Sequence, residues 1–198
     1  AVGGIWASMR GVRAANGAWA QYELGLIGVQ KTTNMSQAQM AEFRGEFDRL
    51  NETMNGIDTA ELASMAEAAG QMGVQGTQDI INFTEVMGKL GVTTDIVGNQ
   101  GAASVGRLLK LTEGSTRNVR AFGDSLNYLG NTTAATEGEI LQMATTLATS
   151  TAGMNLSTDA ILAMAAAAKE SGLRDELTGS VFSRTLISLK EGSANATE

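Results

Sequence analysis

The residues able to do chemistry in this 198-residue chain are few, because it contains neither His nor Cys. Without imidazole there is no ordinary general base near neutral pH and no nitrogen ligand for a transition metal. Without thiols there is no disulfide framework and no thiolate metal site. Carboxylate, Lys, Tyr and hydroxyl groups are what remain. The nearest carboxylate pair, Glu137 with Glu139, lies two residues apart on a predicted helix, so the two groups point to different faces and share no substrate. Their place ahead of an apolar run fits acidic residues complementing a helix dipole. Gly88-Lys89 lacks the upstream glycine of a phosphate-binding loop and reads as helix interior. No catalytic, cofactor-binding or metal-ligating residue is assigned, no cofactor or small-molecule substrate is expected, and the chain reads as a non-enzyme.

One cluster carries positive charge: Arg107, Lys110, Arg117 and Arg120, two pairs either side of Gly114. It would suit contact with phosphates, yet Glu113 and Asp124 offset it and the formal net charge is −7. A nucleic-acid binder concentrates more basic charge, so a solvated surface is the better reading and DNA contact the weaker one. The longest apolar run, residues 160–168, is Ala-rich and half of what a bilayer crossing needs, and the start of the chain has no signal-peptide pattern. The methionines recur on apolar stripes (Met40, Met54, Met65, Met72, Met87, Met143, Met154, Met164), which points to gap-filling in a core more than to a partner groove. The sequon Asn131-Thr132-Thr133 is an accident of a chain rich in Asn and Thr.

Nothing but helices is needed to hold these groups. There is no Pro to break a helix interior. The first segment, residues 5–30, spaces Ile5, Trp6, Met9, Val12, Trp19, Tyr22, Leu26 and Val29 near the helical period, weakened by glycines. Ser36 caps a second helix reaching about Met54, with Met40, Phe43, Phe47 and Leu50 inward and Asn55-Gly56 after it. This front, up to residue 56, reads as elongated and lightly packed. From Asp58 on, each apolar stripe sits between a capping residue and a glycine. Thr59 begins a helix closed by Gly73; Thr77 caps one closed by Gly91, and the two form an αα-hairpin. A helix over residues 100–111 breaks at Gly114. Ser115 or Thr116 caps the next, with Val119, Phe122, Leu126 and Leu129 inward and Gly130 ending it. Thr136 and Glu139 make a capping box before Ile140, Met143, Ala144 and Leu147. Ser157 caps a helix stopped at Gly172, and a last one carries Leu177, Val181, Phe182, Leu186 and Leu189.

Three stretches share a form: LASMAEAAGQMG (62–73), VRAFGDSLNYLG (119–130) and ILAMAAAAKESG (161–172). They suggest stacked helical hairpins of irregular period, brought close by Ala and Gly on their faces. The expected fold is therefore all-α: several short amphipathic helices in stacked αα-hairpins, preceded by one or two longer helices. Three parts are expected: an N-terminal helical extension over 1–56, a helical domain over 57–190, and a polar tail over 191–198 that reads, with the non-Met start at Ala1, as the cut end of something longer.

The run ELASMAEAAGQMGVQGTQDIINFTEVMGKLGVTTDI (61–96) closely resembles the conserved region of phage tail tape measure proteins, in which a helix and a glycine turn lead to a Phe-Thr-Glu-x-x-x-Lys-Leu-Gly segment, here residues 83–91. LNYLGNTTAATEGEILQMATTLA (126–148), GMNLSTDAILAMAAAAKESGL (153–173) and SVFSRTLISL (180–189) are similar to the family's following stretches, in the same order. The resemblance spans about residues 57–190. It implies a domain toward the front of a very long helical protein that sets tail length as a template inside the polymerising tube and leaves when DNA is ejected. It further implies self-association, contact with tail-tube, tail-tip or tail-assembly chaperone proteins, and residence in the virion tail after assembly in the host cytoplasm. It carries over no catalytic residue. The rival from another class is a helical binding module, a secreted effector or adaptor, whose amphipathic stripes would serve one partner groove.

Overall fold

Capping chemistry cuts the chain into helices. The computed structural model describes residues 2–96, 98–112, 118–174, 177–182, 184–185 and 187–188, with side chains from Gly17 onward except Ala18. The helices are α1 (Val2–Thr33), α2 (Gln37–Thr53), α3 (Thr59–Gln71), α4 (Thr77–Thr93), α5 (Gly98–Leu111), α6 (Val119–Thr132), α7 (Glu137–Ser150) and α8 (Thr158–Glu170). Residues 177–182, 184–185 and 187–188 are helical too and are called α9 below. No strand occurs among the described residues, so the chain is all-α as expected. The expected polar tail, Leu186, Leu189 and the Gly114 break with its Ser115 or Thr116 cap lie outside the described residues.

Ser36 and Thr136 each close a full capping box, with Gln39 and Glu139 returning the bond, and Asp58 and Ser157 cap α3 and α8 through single side-chain acceptors. Thr77 does not cap α4: it is the first helical residue, and Gly76, at φ +91°, holds the cap position without a side-chain bond.

Two kinds of C-terminus follow. At α3 and α8 the chain turns through Gly73 and Gly172, both at positive φ. Val74 N donates to Ala69 O and Leu173 N to Ala168 O, the Schellman pattern. Gly91 and Gly130, by contrast, do not end their helices, which run on to Thr93 and Thr132. A threonine pair stands at each of these ends. The backbone N–H and the hydroxyl of Thr94 both donate to Leu90 O, and those of Thr133 both donate to Leu129 O. Both ends share the string Leu-Gly-x-Thr-Thr, at 90–94 and 129–133. The hydroxyl shares that carbonyl with its own backbone N–H, a second bond that glycine cannot supply.

The helices form two rows. In one, α1 packs on α3, α3 on α5 and α5 on α7; in the other, α2 packs on α4, α4 on α6 and α6 on α8. Contacts of α3 with α4, α4 with α5, α6 with α7 and α7 with α8 join the rows. This is a stack of helical hairpins in which each unit touches its neighbours. The three similar stretches do not follow its register: 62–73 lies in the odd row, whereas 119–130 and 161–172 lie in the even row.

The core is one cluster running from Tyr22 to Ala168, including Leu62, Met65, Phe83, Leu108, Leu126 and Ile140. From Tyr22 on, the front of the chain is part of it and is not lightly packed. Phe43 and Phe47 are fully buried, and Tyr22, Phe47 and Phe43 form a ladder of tilted rings 5.7 to 5.9 Å apart. Glycine lets α1 settle this closely: a Cβ on Gly25 would lie 2.6 Å from that of Ala63.

Candidate interaction surface

Each sequence candidate has a definite place. Glu139 is occupied at the α7 N-terminus, accepting from Thr136 N at 3.1 Å. The Glu137 carboxyl lies where a Cβ on Gly130 would go. The two carboxylates thus serve different helix ends and face no common space. Gly88 is buried in α4, with Met54 and Leu62 packed where a Cβ would project, and Lys89 pairs with Glu85 one turn back at 2.7 Å. Gly88-Lys89 is helix interior, as the sequence suggested. Among the described residues, no group of three or more acidic side chains is arranged to hold a metal ion.

The basic cluster is dispersed. Arg107 and Lys110 are exposed on α5, while Arg120, on α6, donates to Glu85 at 2.6 Å and Asn82 at 3.0 Å on α4. Arg117 and Glu113 lie outside the described residues. Glu85 thereby holds Lys89 and Arg120 together in the groove between α4 and α6, lined also by Val86, Gly123 and Asp124. Arg107 instead lines a groove of about 1140 Å³ between α5 and α7, which Gly179, Ser180 and Arg184 border. Because α5 and α6 belong to different rows, their cations part, which linear spacing does not reveal.

The α5–α7 groove is polar and hydroxyl-rich, but the four hydroxyls that α7 contributes are already committed. Thr145 donates to Leu141 O, Thr146 to Gln142 O, Thr149 to Thr145 O and Ser150 to Thr146 O. Each is bonded within α7, so the groove presents methyls and carbons more than free donors. Of the methionines, Met40, Met65, Met87 and Met143 are buried, and Met54, Met72 and Met164 are half-buried against the core. Met72 fills the space beside Gly106, joining α3 to α5.

Among the described residues, Tyr22 is the one titratable group with a marked perturbation. Burial, then its 2.8 Å hydrogen bond to the Asp48 carboxylate, pushes its pKa from 10 to about 12. The bond ties α1 to α2.

What sequence spacing missed is exposed apolar surface. Trp19, placed by periodicity on the inner stripe of α1, is 63 % exposed, and Leu24 and Ile27 are exposed on the same helix. In α9, Leu177 and Val181 are 52 % and 55 % exposed, and Phe182 is half-buried against the core. Apart from Phe182, these side chains face solvent among the described residues. No helix among the described residues is long and apolar enough to cross a membrane.

Comparison with known proteins adds one finding. The model of the family described as phage-related minor tail protein matches residues 44–198, from within α2 to the last residue. No curated protein and no solved structure matches the chain.

Proposed function

This chain belongs to the phage-related minor tail protein family, and from that premise we propose that it is a segment of a tape measure protein. In this reading it sits in the virion tail, helps to set tail length during assembly, and leaves with the genome at ejection. It works by contact, binding copies of itself and tail-tube, tail-tip or tail-assembly chaperone proteins, and it catalyses nothing.

The observation that carries the proposal is the family match over most of the chain, collinear with the stretches at 61–96, 126–148, 153–173 and 180–189 that resemble tape measure proteins. The architecture supports it. A row of hairpins joined by neighbour contacts makes an extended scaffold with long faces, and its polar side chains are spent on caps, helix ends and ion pairs.

Cross-linking mass spectrometry on assembled tails tests the reading. The segment is expected inside the particle, with cross-links to tube or tip proteins. Purified tails lacking the polypeptide would refute the tail role and favour the helical effector or adaptor, which stays monomeric until its single partner is present.

A further inference from the structure

Asn is followed by Gly twice in the chain, at Asn16-Gly17 and Asn55-Gly56. The pair carries its own chemistry. The backbone nitrogen of the second residue can attack the side-chain amide of the first to close a five-membered ring, and glycine has no Cβ to obstruct the approach. The fold treats the two pairs differently. Asn16-Gly17 lies inside α1, where the dihedrals are fixed and each N–H is spent on a carbonyl one turn back. Asn55-Gly56 forms the turn between α2 and α3, and both residues are exposed.

Three observations leave that turn reactive. The Asn55 side chain makes no hydrogen bond among the described residues, whereas neighbouring Asn51 accepts from the Thr59 hydroxyl at 2.8 Å. Gly56 N has no acceptor among the described residues either: the α2 ladder ends with Met54 N on Leu50 O, and that of α3 starts with Leu62 N on Asp58 O. Gly56 also stands at φ +89°, which side-chain-bearing residues rarely adopt. The turn therefore calls for glycine at the one position where glycine exposes Asn55 to attack.

We propose that Asn55 is a site of spontaneous deamidation. Gly56 N gives its proton to water or hydroxide and bonds to Asn55 Cγ, while the Cγ–Nδ2 bond breaks and Nδ2 leaves as ammonia. Water then opens the succinimide. Addition at Cγ leaves an ordinary aspartate. Addition at the backbone carbonyl carbon leaves Gly56 N joined to Cγ, so the main chain gains a methylene as isoaspartate. No redox partner takes part. The added length matters because Met54 and Ile57 bracket the turn and both seat on Gly88 of α4, with Met54 Cε 2.6 Å and Ile57 Cδ1 3.8 Å from where a Cβ would stand. Isoaspartate lengthens the link between those anchors and shifts one of them, whereas aspartate adds charge alone. The inference goes beyond the tail role and does not depend on it.

Peptide mass spectrometry of the whole chain, aged at mildly alkaline pH, tests it, with electron-transfer fragmentation to tell isoaspartate from aspartate. The same chain aged in urea gives the intrinsic rate of each pair. Folded, Asn55 is expected to convert within a few-fold of its rate in urea and faster as pH rises, with isoaspartate the main product. Asn16 should convert more slowly than in urea by an order of magnitude or more. An Asn55→Gln chain, which would need a six-membered ring, should stay unmodified there. Folded-state protection of Asn55 by an order of magnitude overturns the proposal, and so does conversion of Asn16 as fast as Asn55, because the turn would then not select the site. The deamidated fraction, separated by its added negative charge, should melt below an Asn55→Asp chain of equal charge. Equal melting temperatures would overturn the displacement of Met54 or Ile57.

Discussion

The carboxylate of Asp95, in the turn after α4, sits on the N-terminus of α7: one oxygen accepts from Gly138 N at 2.7 Å, the other from the Thr136 hydroxyl at 2.7 Å. Thr136 in turn accepts from Glu139 N, so one helix start is held by its own capping box and by a residue 41 positions earlier. The N–H groups of a first helical turn lack intrahelical partners and sit at the positive end of the helix dipole, so a carboxylate there is favourable. Asp95→Ala should lower stability by about 1 kcal/mol, the usual scale of a lost cap. Asp95→Asn should recover part of it, because the amide oxygen still accepts one bond. Urea unfolding followed by circular dichroism measures both.

Glycine has opposite meanings at two neighbouring places. Gly25 faces Ala63 of α3, and an added Cβ would come within 2.6 Å of one side-chain atom and 3.2 Å of backbone carbon. Gly45, on the exposed side of α2, has nothing within 4 Å of that position. Gly25→Ala should therefore push α1 off α3 and destabilise by roughly 1 to 3 kcal/mol, the range for overpacking. Gly45→Ala should stabilise by roughly 0.5 to 1 kcal/mol through helix propensity alone. A thermal melt of each, against the parent, gives shifts of opposite sign; equal signs would mean that the Gly25 contact can relax.

Much of this was legible in the sequence, for a local reason. Ser36, Thr136 with Glu139, Ser157, Gly73 and Gly172 act within a few residues of themselves, so their spacing is their mechanism. Gly91 and Gly130 misled because a helical glycine and a terminating glycine look alike until the next turn is seen, and here Thr94 and Thr133 take the last carbonyl instead. The recurrence of Leu-Gly-x-Thr-Thr was the available signal. Asp95 on α7 was not legible, since nothing local marks a bond across 41 residues. The outer faces of α1 and α9 were hidden for a different reason. Periodicity reports that a side chain lies near an apolar stripe, not whether another helix is stacked there, and the first and last helices of a row lack one neighbour among the described residues. The basic cluster dissolved likewise once α5 and α6 were assigned to different rows.

Tyr22 makes stability fall at high pH. Its pKa is raised in the folded chain to about 12 from the usual 10, by burial first and by the Asp48 carboxylate second. Between those values the unfolded chain loses the phenolic proton while the folded chain keeps it. The folded state thus binds more protons, and stability declines with rising pH. The contribution is complete below about pH 10 and disappears as pH passes through about 12. Its size is roughly 1 to 3 kcal/mol. Tyr22→Phe should be less stable than the parent at neutral pH, having lost the 2.8 Å bond, and its alkaline decline should be shallower. Denaturation midpoints between pH 8 and 12 for both chains test this, and parallel curves would disprove the assignment.

Arg120 gives the complementary case, an ion pair that joins two helices of one row at the surface. Its guanidinium is 2.6 Å from Glu85, yet the arginine side chain is 60 % exposed, and Glu85 already holds Lys89. Exposed pairs are screened by solvent and lose side-chain entropy on forming, so Arg120→Ala should cost less than about 1 kcal/mol. Glu85→Gln should cost somewhat more, because it leaves Arg120 and Lys89 side by side with no anion between them. A double-mutant cycle separates these terms, with the Arg120–Glu85 coupling expected to shrink as salt rises toward about 1 M, where the screening length falls to about 3 Å. A coupling that ignored salt would show Arg120 held mainly by Asn82, 3.0 Å away, and by packing against α4. Because the same side chain is committed to α4, removing it should leave affinity for a DNA duplex unchanged in a filter-binding assay at low salt, whereas a cation used for phosphate contact would weaken binding and flatten its salt dependence.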